Sequence, residues 1–127
     1  MKYLGIDYGT KRIGIAVSDE NGEFAFPKII LESDKYTLEK IAQLVTEENV
    51  GGVVIGESLA SNGAPNALVQ ETIRFKEKLE VIVAVPVFLE REGFSTVEAH
   101  RYQTKKGSRD DSAAAIILQR FLDKQPK

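Results

Sequence analysis

The chain has no cysteine in its 127 residues and a single histidine, His100. The first absence excludes disulfides and thiolate metal sites, and makes a reducing, cytoplasmic setting the default expectation. The second makes a histidine-built metal site or a nucleophile–histidine–acid triad a poor fit. No apolar run approaches the roughly 20 residues needed to cross a bilayer. The opening MKYLGIDYG goes straight into strand-like alternation and lacks the apolar stretch of a secretion signal. No excess of one charge is present either: 17 Lys and Arg oppose 19 Asp and Glu, for a net charge of −2. Domains that bind nucleic acid are often strongly basic, so the total by itself argues weakly against that partner. The chemistry open to such a chain falls to carboxylates.

What is present has an ordinary balance, 43% hydrophobic and 28% charged, typical of a globular protein. The length suits one domain with one core, spanning residues 1–123, and a short tail at 124–127. Residues 3–8 and 12–18 alternate like two strands around a tight turn at Gly9 and Thr10, and Asn21-Gly22 signals a second hairpin into a strand at 23–30. TLEKIAQLVTEEN sets Leu38, Ile41, Ala42 and Val45 on one helical face. GGVVIG reads as a strand buried on both faces. A helix is expected at 66–79, then a strand over VIVAVPVFLE in which Pro86 signals an edge position or an interruption. A short helix near 95–102 and a longer one over DDSAAAIILQRFLD complete the chain. Three antiparallel strands followed by two crossover strands predict an α/β fold, a mixed five-stranded sheet with helices on both faces. That order is the order of the ribonuclease H fold.

The notable acids fall at strand ends. Asp7 lies near the end of the first strand, Glu57 directly after the fourth, and Glu90 and Glu92 after the fifth. Ligands of open α/β sheets collect beyond the carboxyl ends of the strands. In the last helix Ser112, Gln119 and Asp123 mark a solvent face. Asp110 lies about 160° from Ser112 on a helical wheel and Asp111 only about 100°. Asp110 therefore shares the stripe of Ala114, Ile117 and Phe121 and is expected to face the sheet near Asp7. Three or four carboxylates at one point repel each other unless cations neutralise them. Mg²⁺ or Mn²⁺, in a pair about 4 Å apart, suits an all-oxygen site and points to phosphodiester hydrolysis. The stretch HRYQTKKGSR adds Arg101, Lys105, Lys106 and Arg109 with no acid, a local positive patch suited to phosphate.

Each of these has a plainer structural reading. Asp110 suits a helix cap, Glu57 a solvated loop, and the basic stretch an exposed connection.

With those residues in place, the chain resembles the YqgF/RuvX family, the Holliday-junction-resolvase-like branch of the ribonuclease H superfamily. GIDYGTKRIGIAVSD is similar to the family's N-terminal signature. PVFLEREGFSTVEA aligns with its strand ending in Asp-Glu-Arg-x-Ser/Thr-Thr, and DDSAAAIILQRFLD with its Asp-x-x-Ala-Ala-x-x-Ile-Leu-Gln helix. The resemblance implies catalytic or metal-binding roles for Asp7, Glu92 and Asp110. It also implies a metal-dependent nuclease acting on structured RNA, with the 5′ end of pre-16S ribosomal RNA as the expected substrate. Two departures stand out. Arg91-Glu92-Gly93 replaces the Asp-Glu-Arg run, leaving Glu90 as a substitute acid, and Gly56-Glu57-Ser58-Leu59 replaces a Gly-Leu-Pro-Leu run, making Glu57 an added or replacement ligand. Lys11 and Arg12 after Asp7, with Lys105, Lys106 and Arg109, are expected to hold the phosphate backbone.

Three alternatives remain open at this point: a Holliday-junction resolvase acting on branched DNA as a homodimer, an RNA-binding module without catalysis, and a nucleotide-binding domain. The last rests on Asp7-Tyr8-Gly9-Thr10, which resembles the first phosphate motif of actin-like ATPases, proteins that need two such domains. Monomer and homodimer are both compatible with the sequence, and no membrane partner is expected.

Overall fold

The computed structural model describes residues 1–56, 66–90 and 109–125, with backbone alone for 66–68 and 109–112. Strands β1 (Tyr3–Asp7), β2 (Arg12–Ser18) and β3 (Ala25–Glu32) come first. Helix α1 (Thr37–Glu47), strand β4 (Gly52–Gly56), helix α2 (Asn66–Ile82), strand β5 (Val87–Glu90) and helix α3 (Arg109–Lys124) follow. The sheet order is β3-β2-β1-β4-β5. The hairpin pairs β1–β2 and β2–β3 are antiparallel, and the crossover pairs β1–β4 and β4–β5 are parallel. The mixed five-stranded sheet expected from the sequence is thus present. The short helix expected near 95–102 lies outside the described residues.

Strand alternation divides the core into two layers. On one face Leu4, Ile6, Ile13, Ile15, Val53 and Ile55 meet Ile41 and Val45 of α1 and Phe75 and Leu79 of α2. On the other, Ala16 and Val54 meet Ala114, Ile117, Leu118, Phe121 and Leu122 of α3. This second face is built from small residues. A Cβ on Gly5 would sit 2.7 Å from Leu118 Cβ, and one on Gly56 would sit 2.5 Å from Ile117 Cγ2. Glycine in a strand often marks such a close approach, and here it sets how near α3 lies to β1 and β4.

Three element boundaries differ from the sequence reading. Strand β3 begins at Ala25 because the Asp19 carboxylate accepts the Glu23 and Phe24 N–H groups at 2.7 and 3.0 Å, holding the preceding residues as a turn. Helix α2 runs on to Ile82, so VIVAVPVFLE is not one strand. Val81 and Ile82 are exposed at the helix end, and their apolar character mimics a buried strand. Pairing starts only after Pro86, which has no N–H but accepts the Val53 N–H at 2.9 Å. Strand β5 is therefore short and at the sheet edge, as Pro86 suggested.

A further correction concerns Gln119, placed on the solvent face by the wheel. Its side chain is half-buried, accepts the Ala25 N–H at 2.9 Å and donates to the Glu23 carbonyl at 2.9 Å. A side-chain amide here takes the place of a neighbouring strand at the start of β3. Gln119→Ala is expected to cost about 1–3 kcal/mol, because it strands a backbone donor. Urea denaturation should show a lower midpoint with an unchanged slope.

Glu48 ties the other end of the sheet, accepting from Lys2 Nζ at 2.8 Å and Lys28 Nζ at 2.9 Å. These two bonds lower its pKa from the ordinary 4.5 to about 2. A depressed carboxylate adds stability above its unfolded pKa and loses it as the pH falls through the folded one. Stability should therefore decline between pH 4.5 and about 2, and Glu48→Gln should flatten that part of the profile measured by denaturant titration.

Candidate nucleic-acid cleavage site

Asp7 ends β1 and is buried, with 8% of its surface exposed. Ile6 packs on the α1/α2 face, so alternation places Asp7 on the α3 face. Register then fixes its neighbours: Gly14 of β2 on one side and Gly56 of β4 on the other. Gly56 in turn pairs with Glu90. One row of the sheet thus reads Gly14, Asp7, Gly56, Glu90, and both positions flanking the aspartate carry no side chain. The sequence contained these glycines, but only the register shows that they flank Asp7.

Helix α3 runs along this row's face. Phe121 meets Tyr3 edge-on at a centroid distance of 5.4 Å, and a Cβ on Gly5 would lie 3.2 Å from the Ala114 carbonyl. From Ala114 back to Asp110 the helix climbs about 6 Å, and from Gly5 to Asp7 the strand rises about 6.7 Å. The Asp110 position is thereby level with Asp7. Asp110 is the second residue of α3, inside the first turn rather than at the cap.

Glu90 is 4% exposed and belongs to a different arrangement. It bonds Lys124 Nζ at 2.5 Å, and Arg120 Nε lies 3.9 Å away. It stands two strands from Asp7, about 10 Å by strand spacing. Its carboxylate fastens the last turns of α3 to the end of β5. Among the described residues no three His, Asp or Glu side chains gather in a metal-binding group. Glu57, Glu92, Lys105 and Lys106 lie outside the described residues, and Arg109 begins α3 with only its backbone described. Lys11 and Arg12 are exposed at the β1–β2 turn, and the Lys11 carbonyl accepts the Ser33 N–H at 2.9 Å.

Tyr8 enters the sequence reading only as part of Asp7-Tyr8-Gly9-Thr10, with no role of its own. It follows Asp7 and so faces the opposite side of the sheet, where its ring packs against Phe75 at 4.9 Å. Burial, then the charge and hydrogen-bonding influence of the nearby Glu71 carboxylate, raise its pKa above the ordinary 10.0. The one signal in the sequence is its place beside a buried acid. Among the described residues, no helix is long and apolar enough to cross a membrane.

The family described as RuvX, Holliday junction resolvase, matches residues 1–124. A curated relative from Lawsonia intracellularis, named "Putative pre-16S rRNA nuclease", is 38% identical over 133 residues, which cover 97% of this chain and 94% of the relative. The fold is similar to that of Thermus thermophilus RuvC solved with a Holliday junction substrate, with a TM-score of 0.62, 12% identity, and coverage of 96% and 93% of the two chains. It is also similar to the fowlpox virus Holliday junction resolvase, with a TM-score of 0.59, 17% identity, and coverage of 98% and 100%. At those identities the likeness is one of fold, the RuvC-like ribonuclease H fold. The match across nearly the whole length makes this chain a member of the RuvX family.

Proposed function

We propose that the chain is a nuclease that hydrolyses phosphodiesters in structured RNA in the cytoplasm, with precursor 16S rRNA as its substrate. The observation that carries the reading is the buried Asp7 at the carboxyl end of the central strand, flanked by Gly14 and Gly56. A carboxylate in that position is costly unless it is compensated, and its chemistry is that of a hard oxygen donor. The choice of RNA is supported by the names of curated relatives.

The donor chemistry fits a divalent cation. Asp7, the Asp110 position level with it, and one glutamate from Glu57 or Glu92 would hold Mg²⁺ or Mn²⁺. When bound, one or two such ions supply an activated water and neutralise charge on the leaving oxygen. The remaining work belongs to the chain itself. Alternation and register fix Asp7 in a rigid strand between β2 and β4. Close contact at Gly5 and Gly56 sets the height of α3 and with it the Asp110 position. Glu90, bonded to Lys124, is assigned to anchoring rather than to ligation. Lys11 and Arg12, exposed beside Asp7, orient the phosphate backbone, with Lys105, Lys106 and Arg109 completing the contact.

The direct test is incubation of the protein with precursor 16S rRNA and with a four-way DNA junction, each with EDTA, Mg²⁺ or Mn²⁺. Metal-dependent shortening of the rRNA 5′ end is the expected result. Cleavage confined to the junction would favour the resolvase reading, which the family's description supports. Binding without cleavage in any metal would leave an RNA-binding module.

A further inference from the structure

Beside Tyr8 a cleft of about 580 Å³ opens between the start of α1 and one face of α2. Its walls include Tyr8, Lys35, Glu71, Arg74, Phe75 and Lys78. The two acids at the cleft are engaged locally. Asp34 accepts the Tyr36 N–H at 2.8 Å, and the Glu71 carboxylate lies near the Tyr8 hydroxyl, whose pKa it raises. The three cations are not matched in this way. Arg74 and Lys78 are exposed and form no ion pair among the described residues, while Lys35 lies 5.4 Å from the centre of the Tyr36 ring. Arg74 and Lys78 are also one turn apart on α2, a like-charge spacing that weakens a helix by about 0.2–0.5 kcal/mol. Such a pair facing a cleft is suited to an anion lying across it.

Position supplies the second half of the argument. Tyr8 and Asp7 are consecutive, so the cleft and the cleavage site lie on opposite faces of the sheet but share one edge. A chain crossing that edge at Asp7 is led past Tyr8 towards Lys35, Arg74 and Lys78. The volume is in the range of small-molecule clefts and admits one strand rather than a duplex. We infer that this cleft binds the phosphodiester backbone of a single-stranded RNA segment continuous with the strand held at Asp7. The inference rests on the proposed nuclease function and adds to it a second contact surface, which selects substrates with an unpaired extension.

The test is fluorescence anisotropy with a labelled single-stranded RNA of mixed sequence in EDTA, across a salt series. The wild-type protein, Arg74→Glu/Lys78→Glu and the milder Arg74→Gln/Lys78→Gln are compared after thermal melts establish that each is folded. The charge reversal should weaken binding at least tenfold. The neutral variant should lower the salt slope by about 1.4, the value for two phosphate contacts on a single strand. Precursor rRNA with an unpaired 5′ extension should lose cleavage efficiency in both variants, chiefly through KM. Affinity and salt slope equal to wild type in both variants would overturn the cleft while leaving the nuclease reading in place. Wild-type protein that neither binds nor cleaves RNA would overturn both. Saturation of the cleft by ATP with exclusion of RNA would assign it to a nucleotide and overturn the proposal.

Discussion

Asp7→Asn should lower cleavage of precursor rRNA by at least about 10²–10³-fold, the scale seen when one group that stabilises reacting charge is removed. The substitution is nearly isosteric, so β1 and its pairing with Gly14 and Gly56 should persist. A cation that binds the folded protein adds RT ln(1 + [L]/Kd), about 2.7 kcal/mol at a hundredfold excess over Kd. Added Mn²⁺ should therefore raise the melting temperature of the wild type and leave that of Asp7→Asn unmoved. Full turnover by Asp7→Asn would end the assignment of Asp7. An equal Mn²⁺ shift in both proteins would place the cation elsewhere.

The fold was largely legible because its signals are local. Alternation through residues 3–18, the period of α1 and the apolar run of β4 each identify an element within a dozen residues. Legibility failed where the deciding partner is remote. Gln119 looks like a solvent-facing residue until β3 is folded against it, 94 residues earlier in the chain. Val81 and Ile82 have strand-like composition, but they close a helix and face solvent. The site shows the same division. The burial of Asp7 follows from alternation in one strand, and the stripe through Ala114, Ile117 and Phe121 from one helix. The glycine row depends on strand register, which no single segment encodes. Glu90 shows the limit of reading acids by strand end alone. It sits in the same row as Asp7, yet Lys124 and Arg120, from the far half of α3 and off the stripe that faces Asp7, take its carboxylate.

Close approach of α3 to the sheet gives the largest expected stability effect, and two glycines should respond differently. Neither has a positive φ, so alanine fits the backbone, and reduced freedom of the unfolded chain would favour it by about 0.4–1 kcal/mol. Overpacking opposes this by about 1–3 kcal/mol, and sterics should win at both positions. At Gly5 the new methyl meets Leu118 Cβ at 2.7 Å and the Ala114 carbonyl at 3.2 Å. Those atoms move only with the helix, so Gly5→Ala should cost about 3 kcal/mol, and Leu118→Ala, which keeps its Cβ, should not rescue it. At Gly56 the clash is with Ile117 Cγ2, Cδ1 and Cγ1 at 2.5–2.8 Å, all beyond Cβ. Ile117→Ala alone should cost about 2–5 kcal/mol through the cavity it leaves. Combined with Gly56→Ala, the total should fall short of the sum by about 1 kcal/mol, because the added methyl occupies part of that cavity. Chemical denaturation of the four proteins measures the coupling. Activity adds a second readout: lifting α3 at Gly56 shifts the Asp110 position against Asp7, so Gly56→Ala should lose kcat beyond its loss of folded protein. Strict additivity, or kcat that follows folded fraction alone, would mean that this contact does not set the geometry of the site.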